Sequence, residues 1–485
     1  MESTLTQPLP QALTKPRIVT ERRVWIAFGA VLAASVMDLL DSTVASIAAP
    51  AIRTDLGGSY SLLQWIGAAY TLAMAVSLLV GGRLGDMFGR KRVLLVGMAG
   101  FTTASLLCAL APSPGVLIGC RALQGALGAV MLPQGWGLIR DLFGDEGTPK
   151  AFGIFGPVMG LSAVAGPVLG GALIDADVAG TGWRLIFLIN VPIGLAALFV
   201  GSRLLPESAR TARAERLDGV GVGLAATAAF LLIFPLVQGR ELGWPLWVIG
   251  MLVAAIPVAA AFAVSQRRRA NRGAMPLLEP GLFTRRPYVA GLSFAVFFVA
   301  GMGGVGLTMS VFLQSGLGYT PLAASIATVT LPVGAIAGTI VASLIVEKLG
   351  RQVLQIGLTL MAAGLVVLAA VVSNSGTALG GWDVAPPMLL AGVGMGMIFM
   401  PMFDMILFGL PERAIGSASG LLQATQQLAM SLGLAVIGTL FFDHIGVAGG
   451  PGRFVGAANE CLLWTAGLLG LAFLTVFALP RHARR

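Results

Sequence analysis

Runs of about 20 apolar residues recur along the chain from Trp25 onward, and no other feature constrains its folding as tightly. As a helix rising 1.5 Å per residue, such a run crosses a hydrocarbon layer of about 30 Å. In an interior without water, a helix satisfies its own backbone polar groups. The runs fall near 25–49, 61–82, 93–111, 115–139, 152–174, 184–205, 218–238, 246–264, 287–313, 321–346, 353–373, 385–408, 417–442 and 460–479, fourteen in all. Only 11% of the 485 residues are charged, against roughly 25% in soluble proteins. A string of soluble domains is excluded, and so is a disordered chain. The expected fold class is an all-α polytopic membrane protein.

An even number of crossings puts both termini on one side. Of the 31 Lys and Arg residues, all but five lie in the tails and loops of that side. The exceptions are Arg53, Arg184, Arg240 and Arg453 in the opposite loops, and Arg121 inside a run. Short loops rich in Lys and Arg stay in the cytoplasm during insertion, so both termini are expected to be cytoplasmic. The net charge of +9 thus reads as a topology signal and a contact for anionic lipid. Nucleic acid is not expected as a partner, because no single loop carries enough charge for a phosphate footprint.

The longest cytoplasmic linker, 265–286, carries Arg267, Arg268 and Arg269 and divides the chain after the eighth run. Asp86-x-x-Gly89-Arg90 follows the second run, and Glu347-x-x-Gly350-Arg351 echoes it after the tenth. The expected plan has six parts: a disordered cytoplasmic tail over 1–24, a six-helix bundle over 25–205, a linker with two inserted helices over 206–264, the linker 265–286, a second six-helix bundle over 287–480, and a tail over 481–485. Repeated helix sets with a midplane site are the plan of many secondary transporters.

Asp38, Asp41, Asp404 and Arg121 lie inside apolar runs. A charge at the bilayer centre costs about 2.5–3.5 kcal/mol on insertion scales, so such groups face a protein or water-lined interior. Asp38 and Asp41 are three residues apart and share a helix face. Counting 1.5 Å per residue from the cytoplasmic side, they lie about 20 and 24 Å up. Arg121, descending from the opposite side, lies roughly 21 Å up. An Asp–Arg pair between the first and fourth helices is therefore allowed. Two carboxylates for one guanidinium leave one uncompensated, and a group that holds either a proton or a cation is the minimum device for exchange. Asp404 lies near the cytoplasmic end of its run, suited to the headgroup level or to an inner vestibule.

The loop from Gly82 to Arg92 joins the second and third runs. Its glycines, Gly82 and Gly89 among them, permit a tight turn. Asp86 suits a neighbouring helix N-terminus, and Arg90 and Arg92 suit the ends of other helices, so the cluster can gate the cytoplasmic side. On the fifth run, Pro167 removes a helix hydrogen bond while Gly166, Gly170 and Gly171 allow close packing, as a bendable interface requires. Gln124, Gln134, Gln423, Gln426 and Gln427 give the fourth and thirteenth runs polar character. With Trp65 and Tyr70 as stacking surfaces, and with Asp404, they are candidates for a substrate cavity. Interhelix contacts are the plainer use of each such group.

Lys15, Lys91, Lys150 and Lys348 are the only lysines, and none stands in a Gly-Lys-Ser/Thr context, so no P-loop for ATP exists. The 3 Cys and 2 His make no metal-ligand spacing. No catalytic set and no cofactor are expected. Energy then comes from an ion gradient or from the substrate's own.

These motifs together resemble the major facilitator superfamily, in its fourteen-span drug:proton antiporter family of EmrB/QacA type. The resemblance covers roughly 24–480. Leu40-Asp41-Ser42-Thr43-Val44 through Pro50 is similar to the family's first-helix motif, with Ser46 where an Asn is usual. Gly82 to Arg92 resembles the signature loop, Leu117 to Gly128 the fourth-helix motif linked to proton coupling, and Gly160 to Gly171 the antiporter motif. Trp183-Arg184 with Phe187 to Pro192 looks like the sixth-helix entry. The resemblance implies two six-helix bundles plus two inserted helices that work by alternating access. It implies proton-coupled export of amphipathic or cationic drugs or antibiotics, with one endogenous metabolite or self-made antibiotic as the narrower alternative. Protons, the lipid bilayer and a small-molecule substrate are the implied partners, and a monomer in a bacterial plasma membrane is expected. Asp41 with Asp38 would carry protons, Arg121 would tune them, and Asp86, Arg90 and Arg92 would gate.

Overall fold

The computed structural model describes residues 21–207, 217–446 and 450–481. The tails expected over 1–24 and 481–485 lie outside them, apart from residues 21–24 and Arg481. Among the described residues, fourteen helices are long and apolar enough to cross a membrane. They are α1 (Glu21–Leu56), α2 (Ser61–Phe88), α3 (Arg90–Ala109), α4 (Pro114–Gly144), α5 (Glu146–Ala176), α6 (Gly182–Leu204) and α7 (Gly219–Leu242). Then follow α8 (Leu246–Asn271), α9 (Arg286–Gly316), α10 (Pro321–Leu349), α11 (Gln352–Ala378), α12 (Gly381–Leu407), α13 (Ala414–Ile445) and α14 (Pro451–Val476).

The number and order of helices agree with the apolar runs, but several helices outrun them. α1 continues to Leu56, α8 to Asn271, and α14 begins at Pro451 rather than near 460. Hydropathy marks only the stretch that lipid or the core must cover, whereas helical hydrogen bonding continues through polar residues at the interface. The loop expected over 140–151 is also absent. The helix running from Pro114 to Ala176 is interrupted only at Gly144, with φ 66° and ψ −177°. A side chain would strain that backbone, and glycine does not.

α1, α2, α3, α5 and α6 gather around α4 and one another. In the same way, α9 packs on α13 and α14, and α12 packs on α10 and α11. α9 is the most buried span, because Gly303 and Gly304 let its backbone approach Met430 and Ile437 of α13. The two sets meet along α2 against α13 and α5 against α10. Gly166 and Gly170 press α5 onto Leu40, Thr43 and Val44 of α1, while Gly171 faces the backbone of Pro321 and Leu322 on α10. A Cβ at Gly171 would lie 2.7 Å from Leu322 Cα. One glycine motif thus ties α5 to its own set and to the other.

Both described chain ends lie on the same face, here the basic face. The polar ties between the sets cluster toward the opposite face. Ser310 Oγ donates to Ser46 O at 2.7 Å, Gln314 Nε2 to Ile47 O at 3.0 Å and Gln64 Nε2 to Ala435 O at 2.9 Å. The rings of Tyr60 and Phe442 stack there with centroids 4.9 Å apart. The inserted helices α7 and α8 pack on each other, and α7 leans on both α2 and α13.

Candidate functional site

A buried polar cluster lies where α1, α2, α3, α4 and α6 converge. Arg121 Nη1 lies 2.5 Å from Asp41 Oδ2, and both side chains are 1% exposed. Three more contacts hold the pair. Gln124 Nε2 donates to Asp41 Oδ1 at 2.7 Å, Arg121 Nη1 donates to Gln124 Oε1 at 2.7 Å, and Asn190 Nδ2 donates to Asp41 Oδ1 at 3.2 Å. Arg121 Nε also donates to Ile66 O at 3.0 Å, and its guanidinium sits over the Tyr70 ring at 4.3 Å. Asn190 is steadied in turn by Ser105, 3.0 Å away. Removing one partner of such a buried pair costs about 3–5 kcal/mol.

Asp38 is in a different position one helical turn away. It is half-buried and, among the described residues, forms no ion pair. Its one hydrogen bond comes from the Tyr70 hydroxyl, which donates to Oδ1. Gly128 of α4 leaves room beside it, since a Cβ there would lie 3.1 Å from Asp38 Oδ1. The structure therefore brings Asp38, Asp41, Tyr70, Arg121 and Gln124 into one network and gives the two carboxylates unequal surroundings. Asn190 and Ser105 complete it. Asn190 lies in the stretch that resembles the sixth-helix entry, which gave it no role, and the only signal for Ser105 was a polar residue inside an apolar run.

Other residues expected in a cavity sit elsewhere. Gln134 is buried between α4 and α2 and donates to Gly81 O of α2 at 2.7 Å and to Val130 O of its own helix at 3.0 Å, so its amide protons serve the helix packing. Trp65 is 9% exposed and turns away from the cluster. Its Nε1 donates to Gln238 Oε1 of α7 at 3.2 Å, and its ring tilts against Phe234. Tyr70 is 1% exposed and offers no open face. Gln423 and Gln427 are half-buried on α13 and make no hydrogen bond among the described residues, while Gln426 points to Met402 Sδ at 3.9 Å. Asp404 is exposed near the basic-face end of α12, with no ion-pair partner among the described residues.

At the basic face Gly89, with φ 92°, makes the turn between α2 and α3, and its N–H donates to Gly85 O at 2.9 Å. Arg90 reaches Asp141 of α4 at 3.5 Å and Asp86 at 4.0 Å, all within one helix set. Gly82, Asp86 and Arg92 are exposed. Pro167 lies inside α5 without breaking it.

The cluster has the chemistry of ion and proton handling: one carboxylate neutralised by a guanidinium, one not. The described residues hold no group of three or more potential metal ligands. The family model of the Major Facilitator Superfamily matches residues 31–434. The chain is 45% identical to the "probable actinorhodin transporter" of Streptomyces coelicolor, over 87% of this chain and 73% of that protein. It is 34% identical to the "tetracenomycin C resistance and export protein" of Streptomyces glaucescens, over 87% of this chain and 77% of that one. A solved structure of a proton-dependent oligopeptide transporter shares the fold, with a TM-score of 0.67 at 15% identity over 94% of this chain and 98% of that chain. Fourteen apolar spans and bacterial relatives of this kind make it a multi-pass protein of the bacterial plasma membrane, a transporter and not an enzyme. The chain belongs to the Major Facilitator Superfamily.

Proposed function

We propose that the protein exports amphipathic or cationic drugs or antibiotics across the plasma membrane in exchange for protons. The observation that carries this is the unequal pair of carboxylates. Asp41 is neutralised by Arg121 and held by Gln124 and Asn190, whereas Asp38 has one neutral donor and, among the described residues, no ion-pair partner. A lone carboxylate within the membrane is discharged either by a proton or by a cation. Asp38 is then the exchange group, and the Asp41–Arg121 pair fixes its helix face. Asp41 joins the proton path if its pair opens during the cycle. The relatives named for actinorhodin and tetracenomycin C support export of antibiotics.

Positive-inside asymmetry makes the basic face cytoplasmic. The ties between the sets at the far face then seal the outside, and the two six-helix sets, 25–205 and 287–480, rock about α2–α13 and α5–α10. Asp86 and Arg90 pair within their own set in this arrangement while Arg92 is exposed, and all three become available to the other set when the cytoplasmic side closes.

In proteoliposomes with an acid lumen, wild-type protein accumulates ethidium and Asp38→Asn falls to the level of empty liposomes while staying folded. Undiminished gradient-driven accumulation by Asp38→Asn would refute the assignment. A narrower reading, export of one antibiotic, is favoured because both relatives are named for single compounds. A susceptibility panel on an expressing strain separates the two: broad resistance supports the first, resistance to one compound the second.

A further inference from the structure

A cavity of about 420 Å³ lies between the inserted helices and the bundle, within the 300–1,000 Å³ typical of small-molecule sites. Nothing from α1, α4, α5 or α9 lines it, so it is distinct from the cluster around Asp38. Alanines open it from α7 (Ala225, Ala228, Ala229) and from α8 (Ala255, Ala259). The wall opposite comes from α2 and α13, and Leu278 reaches in from the linker at the basic-face end. Thr425 is the single polar side chain in the lining. Water needs two to four polar partners to occupy a cavity, so this one excludes water. Its mouth lies at mid-span: Ile256 of α8, one of its lining residues, is 72% exposed on the surface that faces hydrocarbon. The occupant is therefore an apolar chain that arrives from the bilayer.

Charge decides which kind of molecule carries that chain. α8 continues past the cavity into Arg267 and Arg268, and Arg272 caps its end. All three are exposed, and none bonds a described side chain. They stand one to three turns beyond Phe262, which lines the cavity. That is the headgroup level for a chain lying in the slot. The linker that presents them is fixed rather than loose. Gln266 donates to Asp218 at 2.8 Å and accepts from Leu277 N at 2.7 Å, and Arg269 lies 3.7 Å from Asp218. A cationic cargo would be repelled at this rim, whereas a phosphate would be attracted. We infer that the slot between α7–α8 and α2–α13 binds an anionic phospholipid of the cytoplasmic leaflet, with one acyl chain in the cavity and the headgroup phosphate on Arg267, Arg268 and Arg272. Because α2 and α13 belong to opposite helix sets, the lipid would sit on the seam that opens and closes in transport.

The test uses full-length protein in nanodiscs with phosphatidylglycerol or phosphatidylcholine that carries a photoactivatable group on one acyl chain. Adducts are mapped by mass spectrometry. Phosphatidylglycerol should label α7 and α8 around 225–232 and 252–262, and phosphatidylcholine should not. Replacing the three arginines together by Gln leaves the apolar wall intact, and it should cut the preference for anionic lipid roughly a hundredfold. Ala228→Phe with Ala255→Phe should abolish labelling at the slot while labelling elsewhere persists, which reports a folded protein. Equal labelling by both lipids would overturn the inference. So would an unchanged preference after loss of the arginines, or displacement of the lipid by ethidium as though the slot were a cargo site.

Discussion

Asp38 and Asp41 carry the same charge on the same helix face, yet their neighbours make them different groups. The helical repeat alone shows that they point the same way. It does not show which of them Arg121 reaches, because that depends on how α1 is rotated and shifted against α4. The structure settles the choice for Asp41, with Gln124 and Asn190 adding two further donors to the pair. The heights read from the sequence, about 20 Å for Asp38, 24 Å for Asp41 and 21 Å for Arg121, leaned slightly toward Asp38, because they take no account of the tilt and stagger of α1 against α4. Trp65 and Gln134 were not legible either. An aromatic or an amide inside an apolar run serves a cavity or an interface equally well, and only the packed neighbours, Gln238 for one and Gly81 for the other, distinguish them. The pair itself makes a prediction. Arg121→Ala strands Asp41 in the core and should cost about 3–5 kcal/mol. The double variant Asp41→Asn with Arg121→Gln should recover much of that loss, because no charge remains unpaired. Thermal unfolding in detergent measures both.

The fourteen helices themselves were legible, since each crossing needs about 20 apolar residues and leaves a separate run. Their ends were not, because α14 and α8 extend through residues that hydropathy scores as polar. Nor was the part played by α7. Near the face opposite the basic one, Glu241 accepts from Ser59 Oγ at 2.7 Å, from Ser61 N and Ser61 Oγ at 2.9 Å and from Gln238 Nε2 at 3.0 Å. Its carboxylate meets the Ser61 N–H at the start of α2, the positive end of that helix. On the other side Arg240 Nη1 donates to Phe442 O at 2.8 Å, and Thr439 Oγ1 donates to Leu236 O at 2.6 Å, both from α13. The inserted helix thus straps α2 to α13 across the boundary between the sets. Glu241→Ala should loosen that strap. A loss of about 2 kcal/mol, in the range for hydrogen bonds to a charged group, would shift the equilibrium roughly thirtyfold toward separation of α2 and α13 at this face. Electron–electron distance measurements between labels on the ends of those helices would show a second, longer population, and an unchanged distribution would show that α7 has no such role.

For the whole molecule, the account rests on two helix sets closed at one face and on a carboxylate that exchanges its partner as the faces alternate. Charge asymmetry in the loops is the ground for the proposed orientation, and the motif echo after α2 and α10 hinted at two related sets. The arrangement of contacts could not be read in advance, because it depends on which of two packings the sets adopt. The most direct measurement is proton release on cargo binding. Purified protein in weak buffer with a pH-sensitive dye is mixed with ethidium, for wild type and Asp38→Asn. The account predicts that wild type releases protons as ethidium binds and that Asp38→Asn releases none, although its fold persists. Equal proton release from both proteins would show that Asp38 is not the group that trades a proton for cargo.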